Sequence, residues 1–113
     1  MLLGSQIMEP TFRIDIVQRD DTVVLVVAGE IDIATAPVLE QRLTEAEARE
    51  AASVIVDLDG VTFMDSTGLQ VLVAHALSKD NGNRLRLTRG SRQVQRLFTV
   101  SGMLDHLPFV SSE

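Results

Sequence analysis

The chain has 113 residues, of which 45% are hydrophobic; it carries a formal net charge of −6 and has no cysteine. This length and apolar content suit one domain with a real core and argue against disorder. The missing cysteine excludes disulfides and thiolate metal sites. The acidic balance makes nucleic acid or an anionic membrane a poor general partner, and no apolar run approaches the roughly 20 residues that span a bilayer.

Residues 1–6 lack basic side chains and a long apolar stretch, so they do not read as a secretory signal. Met8 is a candidate native start, and residues 1–9 are expected to be a tail before a domain over 10–110. The expected location is the cytoplasm.

Phe12-Arg13-Ile14-Asp15-Ile16 alternates apolar and polar residues, as a strand with one wet face does. A polar turn at Arg19-Asp20-Asp21-Thr22 leads into residues 23–28, almost wholly apolar and β-branched. The pair reads as a hairpin whose second strand is central and buried on both faces. Gly29-Glu30-Ile31-Asp32 leaves that strand. Thr35 is a candidate N-cap for a helix with Pro37 in its first turn and Leu39, Leu43 and Ala46 on its apolar side. Residues 53–58 form the next strand.

Leu69, Leu72, Val73, Ala76 and Leu77 then repeat with helical spacing up to a stop at Asn81-Gly82-Asn83. Residues 84–88 alternate as another strand, and Ser91 caps a third helix with Val94, Leu97 and Phe98 facing inward. Residues 107–110 add at most an edge strand, since Pro108 bars a central position. The order β-β-α-β-α-β-α, with that optional last strand, implies a small α/β domain. Its mixed sheet has four to five strands and right-handed crossover helices.

Functional loops in such folds leave the C-terminal ends of parallel strands. Here that rim holds Asp32 and "FMDSTGL", residues 63–69, with Asp65, Ser66, Thr67 and Gly68 at the start of a helix. The plainest reading of Ser66 is an N-cap. Gly68 costs helix stability by roughly 1 kcal/mol in a helix interior and leaves the serine unshielded. A serine hydrolase fits poorly, because the nucleophile elbow G-x-S-x-G is absent. His75 and His106 have no local reason to reach Ser66, and both read as surface histidines. Neither a G-x-x-x-x-G-K-[ST] nor a G-x-G-x-x-G phosphate cradle is present. Asp57, placed in a buried strand, and Asp59, placed in a turn before Gly60, make a metal site with Asp32 and Asp65 a weak reading. No metal, cofactor or enzymatic activity is expected. Five arginines between Arg84 and Arg96, with no acid among them, form a locally basic zone. A solvated face is its default reading.

"GEID" after the second strand and "VIVDLDGVTFMDSTGL" across the third strand into the second helix resemble the STAS family. These are the sulfate-transporter and anti-sigma-factor-antagonist domains, and the likeness is strongest to bacterial anti-anti-sigma factors. It covers roughly residues 10 to 110, and the D-S-[ST]-G-L signature is its most specific part. The resemblance implies that Ser66 is phosphorylated by a partner that is both anti-sigma factor and serine kinase. Asp65 and Gly68 then shape the serine's loop, and Asp32 lies on the adjacent partner-facing rim. Thr67 stands where the family also uses serine, which makes it a second candidate hydroxyl. A separate serine phosphatase would reset the cycle. A STAS interaction module that is not phosphorylated, docked on a transporter or scaffold, is the alternative expectation.

Overall fold

The computed structural model describes residues 12–78 and 84–110. The elements follow as β1 (Phe12–Arg19), β2 (Thr22–Ile31), α1 (Ala36–Glu47), β3 (Ser53–Met64), α2 (Ser66–Ala76), β4 (Leu85–Leu87) and α3 (Arg92–Val100), with a short 3-10 turn at Leu104–His106. The expected tail at 1–9 and the expected helix stop at Asn81-Gly82-Asn83 lie outside the described residues.

The four strands lie in chain order; β1 pairs antiparallel with β2, while β2–β3 and β3–β4 are parallel. The hairpin turns at Asp20, whose φ of 51° an aspartate tolerates better than most residues. The parallel strands succeed one another in a single direction, so right-handed crossovers put α1 and α2 on one face of the sheet.

Burial follows that geometry. Val23, Leu25 and Val27 of β2 and Val54, Val56 and Leu58 of β3 are fully buried beneath Leu39 and Leu43 of α1, Leu72 of α2 and Phe98 of α3. Their neighbours Val24, Val26 and Ile55 point the other way and are half-buried, and Val17 beside them is 43% exposed. The expected burial of β2 on both faces is therefore corrected. Its unbroken β-branched run satisfies the pleated backbone on the open face rather than a second core layer.

Both central strands run further than the sequence pattern suggests, β2 to Ile31 and β3 to Met64. The β2–β3 register slips between Val26 and Ala28 and again between Gly29 and Glu30. Gly29 accommodates the second slip with a φ of 95°, a conformation that favours glycine. Asp57 and Asp59 thus belong to an irregular stretch of strand instead of a buried strand and a turn. The Asp57 carboxylate accepts from the Asp59 N–H at 2.9 Å.

Ser91 caps α3 as expected, its Oγ accepting from the Val94 N–H at 3.3 Å. Leu77, by contrast, lies past the end of α2 and is 54% exposed. The expected edge strand at 107–110 reduces to one parallel bridge between Leu87 and Phe109. Phe109 packs on Phe98 with ring centres 5.4 Å apart, and the Arg89 guanidinium covers its ring. Of the basic zone, Arg84 donates to the carbonyls of Glu47, the last residue of α1, and of Arg49 just beyond it, whereas Arg86 is exposed.

The one-sided core gives a sharp contrast between adjacent residues. Leu25→Ala should cost about 2–5 kcal/mol in urea denaturation, and Val24→Ala about 1 kcal/mol or less. Equal losses would mean that both faces of β2 are packed.

Candidate functional site

Ile31 and Met64 are partners in the parallel ladder, so β2 and β3 end side by side at one rim. The Asp65 N–H donates to the Ile31 carbonyl at 3.1 Å, which ties the start of α2 to the end of β2. The two loops named in the sequence are therefore neighbours. Phe63 and Met64 are strand residues and not loop residues; Met64 is buried, while Phe63 is 48% exposed at the rim.

Asp65, not Ser66, is the N-cap of α2. Its backbone is extended, and its carboxylate accepts from the N–H groups of Thr67 at 2.9 Å and Gly68 at 3.4 Å. The Thr67 hydroxyl also donates to the same oxygen. That hydroxyl bond lowers the Asp65 pKa most, partial burial opposes it, and the two backbone N–H groups lower it further. The carboxylate is thus a fixed negative charge seated on the helix N-terminus.

Ser66 is consequently the first residue of the helix, exposed, with no hydrogen bond from its hydroxyl to any described residue. Thr67 differs in both respects, being half-buried with its hydroxyl held by Asp65. Gly68 is buried and faces inward. A Cβ there would meet Ile31 Cγ2 at 2.6 Å and Met64 Cγ at 2.8 Å. The glycine admits the two strand ends against the helix, which corrects the expectation that it merely uncovers the serine.

Asp32 sits on the same rim, one residue after Ile31. Its carboxylate accepts from the N–H groups of Ala34 at 2.9 Å and Thr35 at 3.1 Å. Thr35 occupies the N-cap position of α1, but its side chain makes no capping bond. Its Oγ1 instead accepts from the Asp32 N–H at 2.9 Å and donates to the Glu30 carbonyl at 3.0 Å. Thr35 is a buried polar residue that folds the β2–α1 loop back on itself.

His75, read from sequence as a surface histidine, lies between α1 and α2 with its side chain only 12% exposed. Nδ1 faces the Glu47 carboxylate and Nε2 faces Glu40, each at 2.9 Å. Both ring nitrogens can donate only when the ring is protonated. Burial alone would depress its pKa, but the hydrogen bonds and charges of Glu40 and Glu47 together raise it above the ordinary histidine value. The sequence signal was faint: two acids seven residues apart share a face of α1, and nothing local points them at His75. Among the described residues no group of histidines and acids is arranged to hold a metal ion.

A family model for the STAS domain matches residues 13–113. The chain belongs to the STAS family. An anti-sigma-B factor antagonist of Bacillus subtilis (strain 168) is 37% identical over 94 residues, covering 82% of this chain and 85% of the relative. The crystal structure of an anti-sigma factor antagonist from Mycobacterium paratuberculosis superposes with a TM-score of 0.77 at 28% identity, over 92% of this chain and 90% of that one. The Bacillus cell fate determinant SpoIIAA in its phosphorylated form gives a TM-score of 0.60 at 25% identity, over 90% and 92%. In this STAS domain the signature residues 65–68 fall where β3 meets α2, and no described helix is long and apolar enough to cross a membrane.

Two measurements test the site's construction. Gly68→Ala gains up to about 1 kcal/mol of helix propensity but forces apart Ile31 and Met64, and overpacking typically costs about 1–3 kcal/mol. A net drop in the urea midpoint is expected, and a rise would show that the contact yields freely. The raised pKa of His75 means that its contribution to stability is complete below the unfolded histidine value near pH ~6.5. It is lost as pH rises through the folded value. The stability gap between wild type and His75→Gln should therefore be wide at pH 6 and narrow by pH 9. In parallel, NMR titration should show the His75 pKa falling in Glu47→Gln.

Proposed function

We propose that this STAS domain is an anti-sigma factor antagonist whose unmodified form binds an anti-sigma factor that is also a serine kinase. Binding frees the sigma factor; phosphorylation of Ser66 by the bound kinase ends the association, and a serine phosphatase restores it. The domain itself catalyses nothing and works in the cytoplasm. The observation that carries this reading is the contrast between adjacent hydroxyls. Ser66 is exposed and unheld, whereas Thr67 is half-buried and bonded to Asp65. A kinase meeting this rim finds one free nucleophile. The kinship with an anti-sigma-B factor antagonist and the fold shared with phosphorylated SpoIIAA support the same reading.

The N-cap explains what the phosphoryl group would meet. It adds about −1.5 to −2 charges next to Asp65. The Thr67 and Gly68 N–H groups that would ordinarily receive an anion are already taken by the Asp65 carboxylate. The phosphoryl group therefore stays at the surface, where it opposes a docked partner through bulk and desolvation. Long-range repulsion contributes less, since exposed charges are screened within ~8 Å at physiological salt. To take a partner from mostly bound to mostly free, affinity must fall roughly 100-fold, about 2.7 kcal/mol. An unpaired polar group at a packed contact already costs ~1–3 kcal/mol.

With the cognate kinase, Ser66→Ala should abolish labelling and keep partner binding, while Ser66→Asp should weaken binding in part. Full labelling of Ser66→Ala would move the acceptor to Thr67 and overturn the assignment. Thermal melts of the two forms should nearly coincide, because dipole attraction of roughly 0.3–1 kcal/mol is set against repulsion from Asp65. A loss of ten degrees or more would mean that the switch works by melting α2.

A further inference from the structure

The two edges of the sheet are finished differently. β4 is only three residues long, and the bridge from Leu87 to Phe109 covers its outer side. β1 is eight residues long, pairs with β2 without a register slip, and has no neighbour on its outer edge among the described residues. Arg19 and Thr22 flank the two-residue turn and close the hairpin as a hydrogen-bonded pair. Val17, Asp15 and Arg13 bond to β2 in the same sense, so Ile16, Ile14 and Phe12 turn their N–H and C=O groups outward. A long straight edge of this kind pairs with another strand unless a proline, a bulge or an inward charge blocks it. β1 holds no proline, and its core side carries Phe12, Ile14 and Ile16, the two isoleucines only half-buried. On its open side stand Arg13 and Asp15, with side chains 75% and 52% exposed.

We propose that this edge pairs antiparallel with β1 of a second copy, centred on Ile14, so that two sheets join into one. The charge pattern selects both the partner and the register. A ladder centred on Arg13 or on Asp15 sets that residue against its own copy, and like charges directly opposite are destabilising. One centred on Ile16 sets Arg13 against Arg19. Centring on Ile14 instead places Arg13 opposite the partner's Asp15 twice, at non-hydrogen-bonded positions where side chains approach closest. The exposed Arg13–Asp15 pair within each strand, at 3.1 Å, thereby grows into a network of four charges. The same register sets Phe12, Ile14 and Ile16 against Ile16, Ile14 and Phe12, which covers both half-buried isoleucines. Centring on Val17 also matches acid with base, through Asp15 and Arg19, but it opposes Ile16 to Gln18 and leaves Ile14 beside the turn. The two-fold axis stands perpendicular to the joined sheet and turns the second copy end for end. β1 begins opposite Gly29, short of the rim at Ile31, so both Ser66 rims stay free and face opposite ways. The assembly is bivalent whatever partner those rims take.

Sedimentation equilibrium of the full chain should show a reversible dimer. Arg13→Asp sets acid against acid at both symmetric positions and should raise the dimer Kd about tenfold or more. Adding Asp15→Arg to the same chain reverses both charges and should return Kd to within about threefold of wild type. Arg19→Asp lies outside the ladder and should change nothing. These three positions are exposed, and circular dichroism checks that each variant is folded. The chain has no cysteine, so a single introduced thiol reports the register. Facing residues of a hydrogen-bonded pair have Cα atoms about 5.5 Å apart, within disulfide reach. Mild oxidation should therefore link Ile14→Cys chains into dimers and leave Val17→Cys chains unlinked. A wild type that stays monomeric at its highest soluble concentration overturns the proposal. So does a dimer that ignores Arg13→Asp, or one that cross-links through position 17.

Discussion

Backbone contact between α2 and the ends of two strands sets the position of everything at the rim. Asp65 donates to the Ile31 carbonyl, and Gly68 lies so close to Ile31 and Met64 that no larger residue fits without movement. This seam fixes where α2 begins, and hence which residue caps it and which is left outward. With Asp65 as cap, the next residue points into solvent and the one after turns back to the carboxylate. An aspartate, a serine, a threonine and a glycine in a row thus acquire four different environments from one close approach.

The second loop is built by other means to the same end. Asp32 and Thr35 exchange side-chain and backbone hydrogen bonds that close the β2–α1 connection on itself. Each of these polar groups is satisfied locally, so the loop needs no partner to hold its shape. The rim is therefore rigid on both sides of the seam. Its exposed apolar residues, Ile33 and Phe63, are displayed by fixed backbone.

Much of this could be read from residue order. Helical spacing at Leu69, Leu72 and Ala76, the alternation in β1 and the Ser91 cap all reflect local physics, and the structure agrees. What escaped depends on distant pairing. β-branched residues at 23–28 look alike whether a strand is covered once or twice, so the open face was invisible. The extension of β3 to Met64 comes from register slips against β2, for which a glycine is only a weak hint. Ser66 and Asp65 are both good capping residues, and the seam at Ile31 decides between them. His75 acquires its two acids only when α1 and α2 pack. The signature itself was legible as a site because its residue types have few structural uses in that combination.

The ladders are unequal in length, and this shapes how the molecule opens. β2 is paired along both edges, whereas β4 contributes a ladder of only Leu85–Leu87 and is followed by an isolated bridge to Phe109. Amides of β2 can exchange with solvent only through global opening, while those of β4 can exchange when the C-terminal part peels away. The seam at Ile31 and Asp65 lies on the protected side of that boundary. The C-terminal third can thus breathe on its own timescale while the Ser66 rim keeps its shape, so the two processes are separable in time.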